Sequence, residues 1–197
     1  MITWIVVRAA GVAAYLMLWA SVAWGLAGTT SALGRRMSKA SAVLVHQFLS
    51  TAAFVLLGVH IGGLMLDRFE PFGVLDVLVP LRAGYRPGAV ALGIGAMYLV
   101  TIVLASSWAR KRLSTKAWRR MHLLAVPAFA LSLAHGILGG ADTARPWMWW
   151  TYVATGGIVL FLLLVRATNA RPTRALPKAR AVGSRPPAAA YNVTEGT

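Results

Sequence analysis

The chain has 197 residues, of which 58% are hydrophobic and 13% charged, more apolar surface than a water-soluble domain of this length can bury. Twenty Lys and Arg stand against five Asp and Glu, so position must decide whether the excess serves nucleic acid, anionic lipid or membrane topology. No cysteine is present, which excludes disulfides, thiolate metal sites and iron–sulfur clusters from this chain.

A membrane-crossing helix needs about 20 mostly apolar residues. Five stretches qualify: residues 2–28, 40–66, 87–108, 121–139 and 147–165. The expected fold is an all-α integral membrane bundle with five transmembrane helices, placed in the cell membrane as a multi-pass protein. Ala, Gly and Leu dominate the stretches, which allows close helix approach, and Trp4, Trp108, Trp118, Trp147, Trp149 and Trp150 fall near their ends as an interfacial belt.

In the first stretch Arg8 precedes an apolar run ending in small residues, as in a secretory signal. The run is longer than a usual signal core, and its removal would strand the following cations on the wrong side, so it is read as helix one. Between the second and third stretches, residues 67–86 crowd Phe72, Val74, Leu75, Val77, Leu78, Val79 and Leu81 together. They read either as a short interfacial helix, limited to a couple of turns by Pro80, or as a loop over the bundle mouth. Gly93-Ile94-Gly95 lies inside an apolar stretch and is no dinucleotide fingerprint; it reads as close helix packing. Beyond Arg166 the composition turns to Arg, Pro and Ala without periodicity. The chain is therefore divided into a membrane domain, 1–166, and a basic cytoplasmic tail, 167–197, expected to be disordered.

Orientation follows the cations. Arg35, Arg36 and Lys39, then Arg110, Lys111, Arg112, Lys116, Arg119 and Arg120, then the basic tail all fall on one side. On the other side Arg68, Arg82, Arg86 and Arg145 are diluted by Asp67, Glu70, Asp76 and Asp142. The amino terminus is expected outside and the carboxyl terminus inside. Cations spread over membrane connections do not make a nucleic-acid module, so anionic lipid is the expected partner of the tail, with docking of an acidic electron donor as the sharper alternative.

The four histidines, His46, His60, His122 and His135, all lie in or at the edge of the stretches. His46 and His60 are fourteen positions apart, roughly 21 Å along one face of a helix; His122 and His135 are thirteen apart on a stretch running the same way. Packed as neighbours, His46 would face His122 on the inner side and His60 would face His135 on the outer side, each couple able to clamp an iron. Bis-imidazole ligation fills both axial positions and suits electron transfer. Thirteen residues at about 100° leave His122 and His135 some 140° apart, so a kink or bulge is expected near Pro127. Three other readings stand beside this one: interhelical hydrogen bonds, a metal-ion or proton path, and an anchor or scaffold without chemistry.

These strings resemble the ferric-reductase-like transmembrane domain family. That family includes the membrane parts of ferric reductases and NADPH oxidases and the haem subunit of the periplasmic methionine sulfoxide reductase system. The resemblance covers residues 1–165. It is carried by the two histidine spacings, by Trp118-Arg119-Arg120-Met121-His122 and by His135-Gly136-Ile137-Leu138-Gly139-Gly140-Ala141-Asp142. Val77-Leu78-Val79-Pro80 and Tyr85-Arg86-Pro87 are also similar to bacterial members. It implies two haems b, with His46 and His122 on the inner iron and His60 and His135 on the outer. Candidate propionate partners are Arg35, Arg36, Arg119 and Arg120 inside and Arg8, Arg86 and Arg145 outside. Family members that oxidise NADPH add a flavin and nucleotide domain, which is not expected in this chain. The resemblance thus implies an electron-transfer subunit of an oxidoreductase, with no catalytic residue assigned. A separate flavoprotein or quinol would be the donor, and ferric iron or a partner reductase or flavoprotein the extracytoplasmic acceptor.

Overall fold

The computed structural model describes residues 2–29, 38–67 and 72–169, and these form an all-helical bundle. In chain order the helices are α1 (Ile2–Thr29), α2 (Lys39–Leu66), α3 (Val74–Leu78), α4 (Pro87–Trp108), α5 (Thr115–Leu123), α6 (Ala125–Gly139) and α7 (Pro146–Asn169), with a 3₁₀ turn at Ala109–Arg112. Among the described residues five spans are long and apolar enough to cross a membrane: α1, α2, α4, α5 and α6 together, and α7. The basic tail beyond residue 169, with Arg35, Arg36 and Arg68, lies outside the described residues.

Local chemistry sets most of the boundaries. Ser38 caps α2 by accepting the Ser41 amide at 3.0 Å, and Ser114 caps α5 by accepting the Ala117 amide at 3.2 Å. Pro87 and Pro146 each stand first in their helices, where a missing N–H costs nothing. The 67–86 segment contains one short helix, α3, with Asp76 accepting the Gly73 amide at 2.9 Å; it stops before Pro80, and the chain then turns through Leu81 (φ 67°) and Arg86 (φ 39°). Both residues sit in the left-handed region that side chains other than glycine enter at a cost.

The fourth span extends farther than its apolar stretch. Residues 115–120 continue the helix outward as α5, whose Lys116, Arg119 and Arg120 depress local hydropathy without breaking the backbone. The expected irregularity is present at Leu124, between α5 and α6, rather than at Pro127 itself. Proline acts one turn upstream: it leaves the carbonyl four residues before it, that of Leu123, without its helical donor and crowds it. The chain responds with a tightened turn, the Leu124 amide bonding back to Met121 at 3.0 Å. Tightening adds rotation per residue, the direction needed to bring two histidines thirteen apart toward one face.

In packing, α1 runs along α2, α4 runs along α6, and α7 lies against α1 and α6. The best-buried apolar cluster lies where α1, α6 and α7 meet: Tyr15, Val22, Leu26, Phe129, Met148, Tyr152 and Val159. Tyr15 stacks on Phe129 at 5.9 Å, meets Tyr152 edge-on at 5.7 Å, and bonds through its hydroxyl to Thr155. Large apolar side chains instead face outward, among them Phe48 (69% exposed), Leu44 (65%) and Phe161 (63%), the surface of a bundle whose solvent is hydrocarbon.

Candidate functional site

The two hairpins α1–α2 and α4–α6 repeat one arrangement. In the first, His60 of α2 donates from Nδ1 to the Val7 carbonyl of α1 at 2.9 Å, and its ring lies over Gly11. In the second, His135 of α6 donates from Nδ1 to the Ala89 carbonyl of α4 at 2.7 Å, and its ring lies over Gly93. Acceptor and glycine are four residues apart in both, one turn of helix. A Cβ at either glycine would come within 2.8 Å of the histidine Nδ1, so only glycine admits the ring. The bond to Nδ1 fixes the tautomer and leaves Nε2, the other ring nitrogen, free to ligate.

His60 and His135 both line a cavity of about 240 Å³, together with Arg8, Tyr15, Asp142 and Tyr152. Arg8 projects from α1 and is paired with Asp142 of the α6–α7 connection, its Nε donating to Oδ2 at 3.0 Å and its Nη2 to Oδ1. The connection is itself tightly held: Thr143 donates to the Gly136 carbonyl at 2.9 Å, and Gly140 packs so closely on that carbonyl that a Cβ would fall 2.4 Å from it.

At the opposite end the motif recurs in weaker form. His46 of α2 lies 3.4 Å through Nδ1 from the Ser21 hydroxyl, and its ring approaches Gly25. Ser21 and Gly25 follow Val7 and Gly11 by fourteen residues, the interval between His46 and His60. His122 of α5 stands opposite, the two rings 5.8 Å apart between centroids and inclined at 65°. Metal–imidazole bonds span about 2 Å each, so this separation suits two ligands on opposite sides of one ion. Trp118, one turn before His122, stacks on its ring at 5.0 Å, and the Arg110 guanidinium lies over the Trp118 ring at 4.3 Å.

The structure thus brings His46 to His122 and sets His60 and His135 about one cavity. Of the cations singled out in the sequence, Arg119 and Arg120 are exposed on α5 and Arg145 is exposed beside α7. Arg86 donates to the Leu138 carbonyl at 2.9 Å and lies over the Tyr85 ring, and Arg8 is engaged with Asp142. Of the seats, Gly93 was read from the sequence as a point of close helix packing, while Val7, Gly11, Ser21, Gly25 and Ala89 were not singled out. The signal was there, since Gly11 and Gly25 share the fourteen-residue interval of His46 and His60.

Among the described residues no three His, Asp or Glu side chains converge on one point. Two imidazoles per site, with the rings of His46, His60 and His135 lying over glycines and Nδ1 of His60 and His135 tied to backbone, fit a haem, whose porphyrin would supply the remaining nitrogens. Two buried polar atoms at the His122 end, His122 Nδ1 and Trp118 Nε1, have no hydrogen-bond partner among the described residues, and the indole N–H is a donor suited to an anionic group such as a propionate.

Five apolar helices with paired intramembrane histidines define a multi-pass membrane protein. A protein-family model described as ferric reductase like transmembrane component matches residues 10–133, and the chain belongs to that family. The match takes in His46, His60 and His122 and ends just short of His135. Domains of this family typically bind haem, and membership points at family level to electron transfer across the membrane. No curated protein and no solved structure matches the chain.

Proposed function

We propose that the chain moves electrons across the membrane through two haems b, one between His46 and His122 and the other between His60 and His135. The observation that supports this most is the repeated seat: an acceptor for Nδ1 with a glycine one turn later, presented by α1 to His60 and by α4 to His135. A histidine that only bridges helices needs no such clearance. Held this way, each imidazole is oriented and electron-rich before any iron arrives, which reduces the reorganisation that accompanies a change of charge. When bound between these histidines, haems would supply one-electron redox chemistry.

The protein's part is to hold the rings, exclude water with apolar helices and balance charge. Arg8, in the wall of the cavity that His60 and His135 line, is a candidate for a propionate, as is the Trp118 indole at the other end. With the cation-rich connections inside, the His46–His122 site lies on the cytoplasmic side and receives electrons from a flavoprotein or quinol. The His60–His135 site then delivers them to an extracytoplasmic acceptor, ferric iron or a partner reductase or flavoprotein. A bare transition-metal path would call for further protein ligands at each station.

The test is a reduced-minus-oxidised visible spectrum of the purified full-length protein with haem counted per chain. Two haems per chain, with one lost in His60→Ala or His135→Ala and the other in His46→Ala or His122→Ala, are expected. A protein without haem bands, made in cells supplied with haem, overturns the proposal.

A further inference from the structure

We propose that the two haem sites are unequal, the His46–His122 site having the higher reduction potential, and that Arg110 and Trp118 are positioning residues that make it so. This rests on the two-haem reading above and adds an order to it.

The four histidines are not held alike. His60 and His135 each give their Nδ1–H to a backbone carbonyl, at 2.9 and 2.7 Å. Such a bond shifts electron density toward Nε2 and makes the imidazole a stronger donor to iron, which favours the ferric state and lowers the potential. His46 reaches the Ser21 backbone and, at 3.4 Å, the Ser21 hydroxyl, so the exception is His122, whose buried Nδ1 has no hydrogen-bond partner among the described residues.

His122 is steadied by the Trp118 ring, and the Arg110 guanidinium lies over that ring. Stacking orients an imidazole without adding to its basicity. The guanidinium adds positive charge on the side where a reduced iron has lost one, so both effects raise the potential. At the other end the nearest charges, Arg8 and Asp142, offset each other.

The measurement is a redox titration of the full-length haem-loaded protein, followed by visible spectra and by electron paramagnetic resonance of the low-spin ferric signals. Two components with separate midpoints are expected. Arg110→Met, which removes a charge without touching a histidine, lowers the midpoint of the higher component only. Trp118→Leu alters the low-spin signal of that same component, and Trp118→Phe, which keeps a ring against His122, restores it. Gly11→Ala, which presses on His60, displaces or removes only the lower component. If Trp118→Leu does not fold, Arg110→Met decides the matter alone. Coincident midpoints, a response of the lower component to Arg110→Met, or a response of the higher one to Gly11→Ala would overturn the inference. Those outcomes leave a two-haem protein standing, whereas absence of haem would defeat the reading beneath it.

Discussion

Arg8 of α1 and Asp142 of the α6–α7 connection, 134 residues apart in sequence, are joined by a two-pronged ion pair in the wall of the cavity that His60 and His135 line. The carboxylate explains how an arginine is tolerated in an apolar span, since an unpaired charge there is costly. It also fastens the connection after α6 to the first helix, closing the ring of elements around that end of the bundle.

Asp142→Asn should destabilise the purified protein by on the order of 1–3 kcal/mol, the range for a hydrogen bond to a charged group. Arg8→Met with Asp142→Leu should cost less than the sum of the single changes, because neither charge is then left alone. Thermal unfolding in detergent checks this; additive losses would mean that the pair is not coupled.

Glycine clearance predicts a graded series. Gly11→Ala and Gly93→Ala, each placing a Cβ 2.8 Å from a histidine Nδ1, should lower haem at the His60–His135 site with the other site kept. Gly25→Ala, with 3.4 Å to His46, should do less, and Gly62→Ala, with nothing within 4 Å, should leave haem content unchanged. Haem per chain and its spectral components give the readout.

Pro127→Ala should restore a donor to the Leu123 carbonyl and relax the tight turn at Leu124. The expected result is a straighter fourth span whose two histidines no longer share a face. Haem loss with a gain in helical circular dichroism is the signature, and retention of both haems would show that the turn holds without proline.

Tyr15→Phe removes one hydroxyl from the bond with Thr155 and should cost about 1 kcal/mol. Tyr15→Ala, which also empties the contact with Phe129 and Tyr152, should cost about 3–5 kcal/mol, as for other large-to-small changes at buried aromatics. Unfolding of the two variants under one condition separates the hydrogen bond from the packing.

Much of the fold was legible because lipid imposes a simple rule on length and hydropathy: the ends of α2 and α4 differ from the apolar stretches by one residue at most. The start of the fourth span was not, since Lys116, Arg119 and Arg120 on an amphipathic turn hide a helix from a hydropathy window. Proline's effect was legible in kind but displaced in place, because its consequence falls on the carbonyl four residues upstream. The approach of His46 to His122 followed from spacing once spans two and four were taken to face each other. Arg8's partner did not, as no local pattern links residues 134 apart. Trp118 was read as part of an interfacial belt, although its position one turn before His122 already put the two side chains on one face.

Among the spans that meet the histidines, α1 contributes no imidazole, yet it carries two of the seats, Val7 with Gly11 and Ser21 with Gly25. Their fourteen-residue stagger, about 21 Å, makes this helix the gauge of the bundle. A substitution can blunt one mark on that gauge but cannot move it. One inserted residue between the marks would swing a seat by about 100° and rob its histidine of both acceptor and clearance. The distance between the two stations is therefore kept by a bystander helix.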